Sequence, residues 1–396
     1  MATFVFTWEL GFGLGHLVNL RPLAEGLSAR GHRVALALRD LSRAKAVFRG
    51  ENIECWQAPC KTRATKQIVP TLSFAHILYD AGFCDVDELA GMCEAWRNVF
   101  RAVAADVIVF DHSPTALLAA RCFRAKRVTL GTGFFCPLDE SPLQCLQPWL
   151  KADMAQAVRD EQDVLHRINQ LLESWAQPPL ARVAGLFHPS DEHLLATFAE
   201  LDHYQGRTAA RYWGAWSSGF GKQPDWPSGT GKKIYAYLKP FQELPKLLDV
   251  LKRSACPAIV YCDGIPAELQ RQYQTPTIRF ENEPLDIRCV ASECDLAILN
   301  ANHGTAVVML LAGKPMLLIP IHVEQALLAN AMMRLKAGLG ASPTNAREIE
   351  GQFQRLLAGD LCVAGARQFA AAYATFDADR QLAAIVERLE ELGGCA

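Results

Sequence analysis

Residues 295–331 read DLAILNANHGTAVVMLLAGKPMLLIPIHVEQALLANA, and this stretch decides the fold. An apolar strand at 296–299 meets a short polar turn that holds Gly304 and Thr305. The run that follows is almost uncharged and too hydrophobic for a surface helix, so it predicts a buried one. A Gly-Lys-Pro turn then leads into a second buried strand, 316–319, and Glu324 and Gln325 open another helix. Strand, tight turn, buried helix and strand make up a parallel α/β unit. That layout sets backbone N–H groups and a helix N-terminus at the C-terminal edge of the sheet. Phosphate groups bind at such edges, because unpaired N–H donors and the helix dipole both favour negative charge.

The same alternation extends outward. Strands are predicted at 3–8, 33–38, 107–110 and 127–130, with an amphipathic helix over 17–30 and an Ala-rich helix running to about 122. Residues 137–172 read as mainly helical. Residues 212–231 are rich in Gly, Ser, Pro and Trp, hold no period, and read as an interdomain connection. A second alternating series follows, with strands at 233–238, 258–262 and 277–280 and a helix over 241–253. The last stretch, 378–392, spaces Leu382, Ile385, Val386 and Leu389 as a helix does. The fold class is therefore α/β, with parallel, doubly wound sheets.

A chain of 396 residues exceeds one ordinary core and suits two domains. Hydrophobic residues at 50% and charged residues at 21% describe a soluble globular protein. The net charge of -2 offers no basic excess for nucleic acid and no acidic tail. The apolar start, MATFVFTW, is short and stopped by Glu9, so it reads as a strand and not as a signal peptide. No apolar run is long enough to span a bilayer. The 13 cysteines form no CxxC pair, which suggests neither zinc nor a disulfide framework and fits a reducing cytoplasm.

Several residues point to chemistry, each with a plainer reading beside it. Gly11, Gly13 and Gly15 follow the first strand, and Asp40 ends the second, as in a dinucleotide site. The spacing is GxGxG, not GxGxxG, so a tight turn that lets a ligand or backbone approach is the alternative. His16 sits where that turn meets the sheet edge, either as a site residue or as a capping or core histidine. Asp111 ends another buried strand at the same edge. Beside a histidine it would hold the tautomer and stabilise the imidazolium, as a general base requires, and otherwise it caps the next helix. Gly304 and Thr305 form a phosphate cradle or an ordinary capped helix start, with Thr305 as the cap. His303 touches phosphate or lies in the exposed turn. Glu324 and Gln325 meet hydroxyl groups or a solvated first turn. No HExxH, GxSxG or acidic metal cluster is present.

Taken in order, five segments resemble the GT-B glycosyltransferases. They are GHLVNLRPLAEGLSARGHRV (15–34), ADVIVFDHSPTALLAA (105–120), ELDHYQGR (200–207), FENEPLDIRCVASECDLAILNANHGT (280–305) and AGKPMLLIPIHVEQALLANAMMRLKAGLG (312–340). The likeness is greatest to the nucleotide-sugar-dependent, family 1-like group of plant and bacterial natural-product enzymes. The resemblance implies two Rossmann-like domains facing a cleft: an acceptor domain over 1–212, a linker over 213–231, a donor domain over 232–376, and a helix over 377–396 that packs back on the first domain. It implies metal-independent, inverting transfer from a UDP- or dTDP-linked sugar to a hydroxyl of a hydrophobic small-molecule or lipid-like acceptor. No cofactor, nucleic acid or membrane insertion is expected, and the location is cytoplasmic.

By the same resemblance, His16 is the base and Asp111 its orienting carboxylate. Gly15 lies by the donor, Gly304 and Thr305 meet the diphosphate, Glu324 and Gln325 read sugar hydroxyls, and Phe280 stacks on the base. The family's diphosphate histidine falls on Asn300 and its ribose carboxylate on Val308. Asn300 then supplies one hydrogen bond, and His303 compensates from the turn. The acceptor pocket is expected from 74–100 and 132–149, and the basic loop 61–66 meets an anionic surface or solvent. The alternatives are a catalytically inactive or regulatory nucleotide-sugar-binding protein of the same fold and a nucleotide-sugar epimerase, with a nicotinamide dehydrogenase last.

Overall fold

The computed structural model of the chain describes residues 1–396 except 12, 14, 43, 49–52, 65, 217–220, 360 and 395–396, and except the side chains of 45 and 46. The first sheet contains β1 (Thr3–Trp8), β2 (Arg33–Leu38), β3 (Ile53–Gln57), β4 (Val107–Asp111), β5 (Lys126–Gly131) and β6 (Glu192–Leu195). Every pairing is parallel, in the order β3-β2-β1-β4-β5-β6. The second sheet contains β7 (Ile234–Leu238), β8 (Ala258–Cys262), β9 (Ile278–Glu281), β10 (Leu296–Leu299), β11 (Met316–Leu318) and β12 (Gly338–Gly340). It repeats the plan as β12-β11-β10-β7-β8-β9, again all parallel. In each sheet the chain starts in the middle, winds one way, then returns to wind the other way. The reversal falls between β1 and β4, and between β7 and β10. Strand ends diverge there and leave a crevice, which is where ligands bind in open α/β sheets.

The chain forms two compact units, residues 1–216 with 377–396, and residues 217–376. Helices cover both faces of a parallel sheet, so its central strands are apolar throughout. In the first unit Phe4, Phe6 and Trp8 of β1 pack with Leu17, Leu20 and Leu23 of the helix Gly15–Ala29. Ile385, Val386 and Leu389 of the C-terminal helix, Ala378–Leu392, join the same core. In the second unit Ile234, Ala236 and Leu238 of β7 pack with Leu247, Leu251, Ile298 and Phe353.

Several local expectations change. β3, β6 and β12 are strands that the sequence reading does not mark. Residues 137–153 are irregular, and the helix runs only over Met154–Ser174. Pro137, Pro142 and Pro148 each lack the N–H that a helix interior needs. Within the stretch 213–231, Trp213 and Trp216 are buried in the first core. Residues 217–220 lie outside the described residues, and the amide of Lys222 bonds Pro284 O (3.0 Å) in the second unit.

Candidate active site

Trp8 and Asp111 are register partners at the C-terminal ends of β1 and β4, on either side of the reversal in the first sheet. The chain leaves β1 through Gly11, whose φ of +88° favours glycine, and enters the helix at Gly15. His16 is the second residue of that helix. Its Nδ1 lies 2.8 Å from Asp111 Oδ2, and the carboxylate is buried while 16% of the imidazole side chain remains accessible. A buried acceptor at Nδ1 fixes the hydrogen there and leaves the lone pair on Nε2. Trp8 stacks on the imidazole at 5.0 Å between centroids and 20° between planes, which holds the ring's tilt. Nε2 faces the glycine turn: a Cβ on Gly11 would stand only 2.6 Å from it. The two residues read from sequence as base and partner are therefore joined. Asp111 caps no helix, since the next one, Pro114–Ala119, has Ser113 at its N-cap.

An aromatic cavity lies beside the pair, at the ends of β4 and β5. Its lining includes Phe74, His112, Leu117, Gly133, Phe135 and Cys136. Phe135 stacks on His112 at 3.9 Å and also lies 5.8 Å from the His16 ring, so one phenyl borders both cavity and base. Phe74, Gly133, Phe135 and Cys136 fall in the segments expected to line an acceptor pocket, whereas Trp96 and Phe100 belong to the buried core and Trp149 is exposed.

Glu9, one residue beyond β1, is a buried carboxyl that sequence reading missed. It is wholly buried, and Oε2 accepts from the amide of Thr115 at 3.1 Å, while Oε1 finds no hydrogen-bond partner among the described residues. Burial pushes its carboxyl up to about 8, against the lowering effect of those bonds and of Arg39. Asp40, a possible ribose ligand by sequence, accepts instead from Ser42 N at 2.8 Å and Ser42 Oγ at 2.6 Å.

In the second unit, β10 ends at Leu299 and the helix His303–Leu311 begins four residues later. Its cap residue is Asn302, so Thr305 lies inside the first turn and is not the cap. The intrahelical ladder starts at Ala306 N, which bonds Asn302 O at 3.0 Å. The N–H groups of His303, Gly304 and Thr305 precede it, at the positive end of the helix dipole. Gly304 is exposed, and a Cβ there would meet nothing within 4 Å, so this turn stands open.

Other donor-side expectations fare differently. Asn300 is fully buried; its Oδ1 accepts from Lys239 N at 2.6 Å and its Nδ2 donates to Ile319 O at 2.8 Å. Its amide ties the ends of β7, β10 and β11 and does not reach toward a ligand. Gln325 is buried too, donating to Asn302 Oδ1 at 2.8 Å and accepting from Ile321 N at 2.9 Å. It fixes the helix cap from behind. Phe280 packs in the second core at 9% exposure, which leaves no open ring face for a base. Glu324 is half-buried in the first turn of the helix Val323–Arg334. His303 is the first residue of its helix and Val308 lies in the helix interior, both half-buried.

The fold also gathers Cys136, His188 and His193, with one ligand atom from each within 4.8 Å of the others. Spacings of 52 and 5 residues carry no metal motif, so no sequence signal marks the cluster.

No family model and no curated protein matches the chain. Among solved structures it is similar to the glycosyltransferase VinC in complex with dTDP, at 14% identity, with 100% of both chains covered and a TM-score of 0.70. It is similar to CalG4, the calicheamicin glycosyltransferase, at 16% identity over 99% of this chain and 98% of that one, with a TM-score of 0.68. The glycosyltransferase SnogD from Streptomyces nogalater matches at 18% identity over 98% and 99%, with a TM-score of 0.62. Identity at this level carries the fold and not the activity. The chain has the two-domain α/β architecture of the GT-B fold.

Proposed function

We propose that this chain is a glycosyltransferase that moves a sugar from a nucleoside diphosphate sugar to a hydroxyl of a hydrophobic small-molecule or lipid-like acceptor. The observation that carries this reading is the His16–Asp111 pair at 2.8 Å beside an aromatic cavity. The acceptor occupies that cavity and presents its hydroxyl to Nε2 of His16. The imidazole takes the proton as the oxygen attacks the anomeric carbon, and Asp111 stabilises the charge gained. Direct displacement inverts the configuration of that carbon. Within the second unit, the N–H groups and dipole of the helix that starts at His303, with Gly304 and Thr305 nearest, suit a diphosphate, in the place a metal takes elsewhere. In the same unit, Glu324 in the first turn of the helix Val323–Arg334 adds to the donor contacts.

The dTDP in the VinC structure supports a nucleoside diphosphate as the donor's carrier. Whether it is uridine- or thymidine-linked is read by residues other than Phe280, Asn300 and Gln325, which are committed to packing and internal bonds. None of the described cysteines is disulfide-bonded, which suits a reducing cytoplasm. No helix among the described residues is long and apolar enough to cross a membrane.

His16→Ala tests the reading. Turnover of a nucleotide-sugar donor with a hydrophobic acceptor should fall roughly 10²–10⁴-fold, with donor affinity by calorimetry unchanged. Wild-type turnover in the variant would remove the base assignment. The internal commitment of the donor-side amides favours one second reading, a nucleotide-sugar-binding protein without transfer. Donor binding with no acceptor glycosylation or donor hydrolysis by the wild type would establish it.

A further inference from the structure

Cys136, His188 and His193 converge entirely within the first unit. Cys136 follows β5, His193 lies on β6, and β5 and β6 pair in parallel, with Thr129 opposite His193. His188 stands a short turn before β6. Cys136 Sγ lies 3.4 Å from His193 Nδ1, and the two imidazole centroids are 4.9 Å apart. We propose that these three side chains bind one thiophilic transition-metal cation, of which Zn²⁺ is the best fit, at the wall of the aromatic cavity.

The hydrogen bonds already orient the rings for this. His188 Nε2 donates to Pro137 O at 3.1 Å, which leaves Nδ1 as its lone-pair nitrogen. A backbone carbonyl on the far nitrogen is the usual support for a metal-bound histidine. Thr129 Oγ1 lies 2.6 Å from His193 Nδ1, and a cation bound at that nitrogen would take the place of this hydrogen bond. Cys136 offers a thiol whose proton a metal displaces. Metal binding exchanges that proton for the cation: the S–H bond breaks, a sulfur–metal bond forms, and the proton leaves to solvent. The Arg207 guanidinium nearby is bonded to Asp202 at 2.6 Å, and this pairing offsets its repulsion of a cation.

One thiolate and two imidazoles suit Zn²⁺ in preference to Mg²⁺ or Ca²⁺, which take oxygen ligands. Tetrahedral bonding sets ligand atoms about 3.5 Å apart, so closure from the widest spacing needs about 1 Å of side-chain movement. Three protein ligands leave a fourth position. Thr129 and Cys136 both line the cavity, so that position borders the space where an acceptor would sit. The site shares no residue with the His16–Asp111 pair and does not depend on the sugar-transfer reading.

The experiment is a titration of the full chain, stripped by chelator, with Co²⁺ as a coloured substitute and Zn²⁺ as competitor. One equivalent of Co²⁺ should give a thiolate-to-cobalt absorption band that Zn²⁺ abolishes, and Zn²⁺ should raise Tm. Cys136→Ser should lose the band and the Tm shift, and His188→Gln should weaken both at least tenfold in apparent affinity. Far-UV circular dichroism confirms that each variant is folded, and Cys55→Ser, at an exposed thiol, should behave as wild type. No band in the wild type, or an undiminished band in Cys136→Ser, overturns the proposal.

Discussion

Glu9 shows how one residue records its surroundings. Its side chain is sealed beneath the start of the helix Pro114–Ala119, with amide donors on one oxygen only. A carboxyl lifted from 4.5 to about 8 holds its proton in the folded chain at neutral pH. The sign of the stability effect follows from proton counting. Between those two values the unfolded chain has released the proton and the folded chain has kept it, so stability falls as pH rises through that window. The loss is on the order of a few kcal/mol. Glu9→Gln keeps the shape and cannot ionise. Melting followed from about pH 5 to about pH 9 should show a steeper decline in Tm for wild type than for the variant. An equal decline in both would locate the pH dependence at another group. Residues of this kind are hard to read in advance, because Glu9 looks in sequence like the polar stop of a strand. His16 and Asp111 were legible, since each stands at the junction of a strand and a helix, and such junctions point to the sheet edge. Asn300 and Gln325 also stand at junctions, yet their amides hold backbone and helix cap together. Position along the chain does not reveal which hydrogen bonds are already taken.

At the scale of elements, the sequence marks strands that are buried on both faces. β1, β2, β8 and β10 are short, mainly apolar runs, and their predicted bounds agree with the structure. β3, IECWQ, is an edge strand with none of its residues buried, and its pattern has no clean period. β12 is the edge tripeptide Gly338–Gly340, whose glycines carry little strand preference; it forms because β11 lends it a parallel partner. Helix ends give a further case. The helices Val86–Val103 and Leu244–Ser254 stop at Ala104 and Ala255, each left-handed at φ +53°. That conformation presses Cβ against the carbonyl in every residue but glycine. Ala104→Gly and Ala255→Gly should therefore each raise stability, by about 0.5–1 kcal/mol after the extra freedom of the unfolded glycine is deducted. Urea denaturation measures it, and a lower midpoint in either variant would contradict the strain assigned to that turn.

At the scale of the whole molecule, each sheet carries its own core, and the first unit is built from two separate lengths of chain. The C-terminal helix lies against the helix Gly15–Ala29, where Val386 Cγ2 would come within 3.0 Å of a Cβ on Gly26. Only glycine admits the branched side chain at that distance, so the two helices pack at close range. Glu390 reaches His32 at 2.8 Å and also bonds Arg30, and Arg388 meets Glu192 at 2.8 Å. These pairs are partly exposed and contribute little to stability beyond fixing the helix's register. The stabilisation lies in Ile385, Val386 and Leu389, exposed by 0%, 3% and 0%. At about 1.5–3 kcal/mol for each buried side chain, their removal costs on the order of 5 kcal/mol, comparable with the whole stability of many domains. A chain ending after Phe376 should therefore lose hydrogen-exchange protection across β1 to β6, while β7 to β12, whose core includes none of these side chains, keep theirs. The single change Leu389→Ala should move the first unit the same way by about 2–5 kcal/mol, without shortening the chain. Protection lost equally from both sheets would mean that stability is shared between the units, and an unchanged first sheet would mean that the returning helix is dispensable to its core.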